Sequence, residues 1–414
     1  MTPTAASALH QRLPPIPHVL PLFNFTGSEG IDPVPVLSGD PAGALYGTTT
    51  EGGTNGYGIV YELKYTGNSK NPYTESVLHS FAYTDGALPK APVAISGGNL
   101  FGTTQFGGVY GYGTVFELVG GTQFQVLYNF KGPPADGAYP ESLVALRKGI
   151  IYGTTIQGGS GTACPGGCGA VYALVPGGSE SLVYSFQGGS DGWYPWGAVN
   201  VTSPTMLYGT TLYGGGTGCG GSGCGTVYQL QSVSGNWQET IVHDFAGGQS
   251  DGSGPHSHLT IISGNLFGTT INGGSQNCPD GCGTVFEIAV PSFTETILHE
   301  FQGSDGQGPF VGLAQNNTYL YGTTLNGGTG SCAGQLGCGV IFKLLPDGTN
   351  FSVVYDFPPP KDQQNPASAV FEDKNTNVMY GIQSDGGKFG YGQFFQVPTL
   401  APTPTPAPSS RSTF

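Results

Sequence analysis

The chemistry open to this chain is most legible in its cysteines. Eight of them fall as four close pairs, each inside a Gly-rich stretch: Cys164 with Cys168, Cys219 with Cys224, Cys278 with Cys282, and Cys332 with Cys338. Two chemistries suit that spacing. Four local disulfides would clip four loops in an oxidising compartment, each closing so few residues that the chain-entropy gain is about 2 kcal/mol at most. The rival is metal. Zinc wants four ligands, whereas each loop offers two thiols and no nearby His. Disulfides are the favoured reading, and with them a protein outside the cell or at its surface.

A second pattern is acidic. Glu29, Asp85, Asp136, Asp191, Asp251, Asp305 and Asp362 each lie four residues before a proline, and in six cases Gly follows the acid. The plain account is a turn. The carboxylate accepts backbone N–H bonds, Gly supplies positive φ, and Pro opens a strand where its missing donor does no harm. The sharper account is a ring of carboxylates that attracts a cation at a channel mouth. The turn is favoured. No cofactor is expected, with a structural calcium ion as the lesser alternative.

The histidines give little support to catalysis. His79, His243 and His299 share their slot with Phe23, Tyr128, Tyr184 and Tyr355, which marks a packed aromatic position. His243–Asp244 and His299–Glu300 are adjacent on strands, so their side chains point to opposite faces. Gly56-Tyr57-Gly58 imitates a dinucleotide fingerprint but leads into a strand, where phosphate binding needs a helix N-terminus. His256 and His258 follow Pro255 at a strand entry, and two residues of separation lets both face one channel. Asp191-Gly192-Trp193-Tyr194-Pro195-Trp196 gathers three large rings, and Tyr213 opens a nearby loop. Exposed Trp and Tyr are stacking surfaces for sugars and anchors for proteins, so Trp193, Tyr194, Trp196, Tyr213, His256 and His258 form the candidate binding set. The bland alternative for Trp196 is packing between sheets.

The elements that must hold these residues come from an internal repeat. A phrase such as Leu100-Phe101-Gly102-Thr103-Thr104, a Gly-rich loop, then Gly113-Thr114-Val115-Phe116-Glu117-Leu118, occurs seven times, its first aromatic at 46, 101, 152, 208, 267, 321 and 380. Each unit divides into four strand-length runs, a to d, rich in β-branched and aromatic residues, and no run has a sustained helical period. The d runs, closing on Phe25, Phe81, Phe130, Phe186, Phe245, Phe301 and Phe357, are out of phase by one. The first precedes any other run, and the last unit has none after it. An N-terminal strand that completes the last sheet resolves this. It predicts an all-β, seven-bladed propeller of four-stranded antiparallel blades, which removes exposed edges. The d-to-a and b-to-c connections then share one end, the top face, which carries the acids, the cysteines and the aromatics.

In this reading residues 1–17 are an extension, 18–397 one propeller and 398–414, Pro/Thr-rich, an extended linker. Gly at 73 residues is turn chemistry in this β context. A net charge of −14 with 12 Lys+Arg leaves no basic stripe, so a nucleic-acid partner is not expected. No apolar run approaches the roughly 20 residues of a membrane helix, and prolines and polar residues interrupt the first 20, so no signal peptide is visible. Sequons at Asn24, Asn200, Asn316 and Asn350 matter only in a glycosylating host. A monomer is expected.

The run Leu78-His79-Ser80-Phe81, then Asp85-Gly86, Pro89, Leu100 to Thr104, Gly107-Gly108 and Gly113 to Leu118, resembles the GloVer tandem repeat of "choice-of-anchor" proteins, across nearly all of 22–397. The resemblance implies an exported, mostly bacterial surface protein and no particular activity. The cysteine pairs are not part of the general repeat, and the tail stops before any anchor. The expected function is therefore a non-catalytic extracellular module that recognises a glycan or protein with its top-face loops. The alternatives are a secreted carbohydrate-active hydrolase or lyase, which would need paired carboxylates, and a passive envelope scaffold.

Overall fold

The computed structural model describes residues 19–332, 335–357, 370–373 and 378–397. Seven small antiparallel sheets form the blades of a propeller. Among the described residues there is no α-helix, only two short 3-10 turns, Gly189–Asp191 and Cys219–Gly221. In the second blade, strands Ala94–Ser96 (a), Asn99–Thr104 (b), Thr114–Val119 (c) and Gln123–Asn129 (d) pair in chain order. The fourth blade has Asn200–Ser203, Met206–Thr211, Thr226–Val233 and Asn236–Asp244. The fifth has Thr260–Ile262, Asn265–Thr270, Thr284–Ala289 and Thr294–Glu300. Closure follows the phase of the d runs, because Leu20–Asn24 pairs with Gln393–Gln396 as strand d of the last blade. The expected extension, the linker, Asp362 and the start of strand a in the last blade lie outside the described residues.

The repeated phrase is a packing device. Gly102 in strand b faces Phe116 in strand c, and a Cβ at Gly102 would come within 2.5 Å of that ring. Gly47 under Tyr61 and Gly268 under Phe286 repeat the arrangement. The ring so placed then meets the closing Phe of the preceding blade. The seven pairs are Phe25–Tyr61, Phe81–Phe116, Phe130–Tyr172, Phe186–Tyr228, Phe245–Phe286, Phe301–Phe342 and Phe357–Phe395, edge to face at 5.0–6.1 Å. One such contact spans every blade boundary, each adding about 0.5–1.5 kcal/mol beyond area burial.

The loops lock in the same way. The glycine before strand c, as in Gly113 or Gly225, is seated against the proline that opens the next blade, Pro140 or Pro255. Every cysteine is in a disulfide, as the local pairing predicts, and no thiol is left for zinc. Cys164 is bonded to Cys168, Cys219 to Cys224, Cys278 to Cys282 and Cys332 to Cys338, with Cα separations of 5.0–5.3 Å. Cys168, Cys224, Cys282 and Cys338, the second members of the pairs, are all buried. Blades without a disulfide carry Tyr57, Tyr112 or Tyr391 where that second cysteine would stand. Tyr112 covers Gly132, while the sulfurs of Cys164 and Cys168 cover Gly188, the corresponding residue one blade on. Ring and disulfide are two ways of filling one gap beneath a turn.

Candidate ligand site at the channel mouth

After the acid and its glycine the chain must swing inward. In six blades the residue before the proline, namely Asp32, Leu88, Tyr139, Tyr194, Gly254 or Gly308, has φ between 53° and 67°. Four of those six are not glycine, and such strain gathers where a backbone is held for a purpose. The residue after the proline is thereby delivered to the central channel. These residues are Val34, Lys90, Glu141, Trp196, His256 and Phe310, and all six line a single cavity. The packing positions of the repeat hold like residues; this position holds six unlike ones.

One wall is aromatic. His256 lies 3.8 Å from Phe310 and 4.4 Å from Trp196, centroid to centroid. His256 is buried, its Nδ1 3.3 Å from the Phe310 carbonyl and its Nε2 without a hydrogen-bond partner among the described residues. Burial pushes its pKa down to about 4, so the ring is neutral at physiological pH. His258 lines the same cavity two residues further in, over Gly312, and burial lowers its pKa as well. The opposite wall is polar. Glu141 is buried and accepts a hydrogen bond from the Gln105 amide, with Lys90 exposed beside it. Burial lifts the Glu141 carboxyl to about 7, against the pull of Lys90 and Gln105. A second cavity at the mouth, about 490 Å³, shares Lys90, Glu141, Trp196 and Phe310 with the first and takes in Asp32 and Gln105.

The six residues singled out in the sequence fall into two groups. Trp196, His256 and His258 line the channel. Trp193, Tyr194 and Tyr213 form a separate cluster, with Trp193 4.6 Å from Tyr213 and 5.2 Å from Tyr194. That cluster is fastened by backbone hydrogen bonds between Trp193 and Tyr213 and by Gln157 donating to the Tyr194 hydroxyl at 2.7 Å. Sequence reasoning misses Phe310, Lys90 and Glu141. Their signal is register, since each follows the proline of its unit as Trp196 and His256 do.

None of the described turn acids lines these cavities. Asp85, Asp136, Asp191, Asp251 and Asp305 reach back to strand d and the start of their own turn. Asp85 takes the Ala82 N–H and contacts His79, Asp136 takes the Tyr128 hydroxyl and the Lys131 N–H, and Asp305 takes the Gln302 N–H and contacts His299. Glu29 is bonded by the Thr26 hydroxyl within its own turn. At four of the described boundaries strand d of the next blade adds a glutamate, Glu75, Glu180, Glu239 or Glu295. Tyr184 lies 2.5 Å from Asp191 and 3.3 Å from Glu239; Glu180 faces Tyr128 and Asp136, and Glu295 faces His243 and Asp251. Burial, then Asp191, raises Glu239 to about 9. Burial, then Glu29, raises Glu75 to about 8. The d-strand histidines are the packed aromatics expected, and their acids are those of the following turn, not their neighbours in sequence.

A sequence model of the Gloeobacter/Verrucomicrobia repeat matches residues 17–164 and 142–395. The chain belongs to that repeat family. The GloVer resemblance read from the phrase and its turns is this family, and the repeat is the interblade lock described above. No curated protein matches the chain. Solved structures similar to this Gloeobacter/Verrucomicrobia repeat protein include two from B. thetaiotaomicron. One is the extracellular domain of a candidate one-component system (TM-score 0.53, 9% identity, 94% of this chain and 40% of that one). The other is a second structure of the same protein's extracellular domain, there described as a candidate hybrid two-component system (TM-score 0.54, 10% identity, 93% and 40%). The chain thus spans about two fifths of their length. At such identities the likeness concerns the fold alone.

Proposed function

We propose that this protein is an exported, non-catalytic binding module that takes a glycan or protein ligand at the top-face mouth of its channel. The observation that carries this is the ring of unlike residues after the blade prolines. Trp196, His256 and Phe310 offer a continuous aromatic wall facing Lys90, Glu141 and Gln105. An apolar surface with a few convergent polar groups is the usual composition of a ligand pocket, and sugars and aromatic side chains both stack on such a wall. Four disulfides support an oxidising compartment. In this reading 18–397 is the one domain and 398–414 its linker. A glycan array and a peptide array probed with the disulfide-intact protein test it. Signals that disappear with Trp196→Ala support the site, and empty arrays count against it.

One observation favours a second reading, a secreted carbohydrate-active hydrolase or lyase. Glu141, lifted to about 7, shares the mouth cavity with Asp32, and a carboxyl shifted in that way inside a cleft marks an acid–base candidate. Turnover of a polysaccharide that Glu141→Gln abolishes while binding persists would select it.

A further inference from the structure

We propose that His243, Asp251 and Glu295 bind one divalent transition-metal ion at the boundary between the fourth and fifth blades. His243 comes from strand d of the fourth blade, Asp251 from the turn after it, and Glu295 from strand d of the fifth. One ligand atom from each lies within 4.8 Å of the others. The remaining boundaries show what is unusual here. Where the slot holds Tyr184, its hydroxyl reaches both carboxylates. Where it holds His79 or His299, the next blade supplies Phe124 or Phe351 stacked at 3.6 or 3.5 Å, and the ring reaches its Asp at 3.2 or 3.0 Å.

His243 does neither. Its Nε2 stands 3.5 Å from Asp251 and 3.8 Å from Glu295 and, among the described residues, is buried without a hydrogen-bond partner, while Glu295 Oε1 is unpaired as the matching oxygens of Glu75, Glu180 and Glu239 are. Leaving such atoms unpaired is costly. The separations are long for hydrogen bonds but near the roughly 3.3 Å edge of a tetrahedron whose ligands sit about 2.0–2.1 Å from zinc. An ion drawn between the three groups would pair the orphaned atoms and neutralise both carboxylates. One imidazole and two carboxylates suit zinc and its neighbours, whereas calcium asks for six to eight oxygens. The ion would fasten two blades together and owes nothing to the channel ligand.

The test is zinc titration of the chelator-stripped protein by calorimetry, with Co2+ absorption as a second readout. The wild type should bind one ion per chain, and excess calcium should not displace it. His243→Tyr installs the Tyr–Asp–Glu set of the preceding boundary, so it should keep the fold by circular dichroism while affinity falls more than about a hundredfold, beyond the loss of an outer-shell partner. Glu295→Gln should weaken binding likewise. A wild type that binds no zinc, variants that bind it unchanged, or displacement by calcium would overturn the proposal.

Discussion

The rings of His256 and Phe310 lie 3.8 Å apart, centroid to centroid and tilted by 30°, across the boundary between the fifth and sixth blades, and each residue stands directly after the proline that opens its blade. The contact is made by repeat geometry, yet neither residue is a repeat residue. The strained turn delivers one side chain per blade to the channel and leaves its identity free. Packing and recognition therefore occupy different positions of the same short segment, so the site can vary without loosening the ring.

That separation predicts how binding responds to substitution. Trp196→Ala and Phe310→Ala should each weaken the ligand about thirtyfold, the scale of a buried aromatic anchor near 2 kcal/mol. Trp193→Ala, in the separate cluster, should change affinity little. Calorimetry with any array-identified ligand checks this, and equal losses for all three would place the contact elsewhere.

The glycine of the phrase should behave against the usual rule. Replacing Gly by Ala in a strand ordinarily stabilises by reducing the freedom of the unfolded chain. At Gly102 the new Cβ would press into the Phe116 ring, which cannot withdraw because Phe81 lies against it. Gly102→Ala should destabilise by roughly 1–3 kcal/mol, as overpacking does. Denaturant midpoints of the two proteins decide the sign.

Because a tyrosine fills the gap that a disulfide fills elsewhere, one device should replace the other. Cys164→Ala combined with Cys168→Tyr should lose no more than about 2 kcal/mol, the entropy of one short loop. Cys164→Ala with Cys168→Ala should lose more, having neither. Thermal melting of the pair tests this, and equal loss would show that ring packing contributes nothing.

The interblade carboxyls make stability depend on pH with a definite sign. Glu239 and Glu75 are held near 9 and 8, above the ordinary 4.5, so the folded state binds protons that the unfolded state releases. Their contribution is fully present below the unfolded value and is lost as pH rises through 8 to 9. Melting temperature should fall between pH 5 and 9. Glu239→Gln with Glu75→Gln should flatten that slope, and an unchanged slope would assign it to other groups.

Much of this is legible in the chain because its grammar is redundant. Seven copies of a Gly facing an aromatic, and seven closing phenylalanines displaced by one unit, leave the ring with an N-terminal closing strand as the simplest arrangement. The disulfides are legible because each pair is local, Cys224 five residues from Cys219 and Cys282 four from Cys278. The site is legible only where residue type draws attention, as at Trp196, His256 and His258. Phe310, Lys90 and Glu141 are ordinary residues whose meaning lies in their register after a proline. The partners of the turn acids are hidden for another reason. Glu239 and Glu295 arrive from the next blade, far along the chain from Asp191 and Asp251. Adjacency in sequence, as in His243–Asp244, points the wrong way.

The pairing of Leu20 with Gln396 also sets a timetable. During synthesis the strand Leu20–Asn24 waits for its partner Gln393–Gln396, some 370 residues later, which at about 5–20 residues per second is of the order of 20–75 s. Until then a hydrophobic strand on one side and an unfinished blade on the other each present open backbone. The ring cannot close on the ribosome until the final sheet has cleared the exit tunnel. Maturation is therefore one late event, and a chain cut short anywhere before Gln396 keeps both ends adhesive.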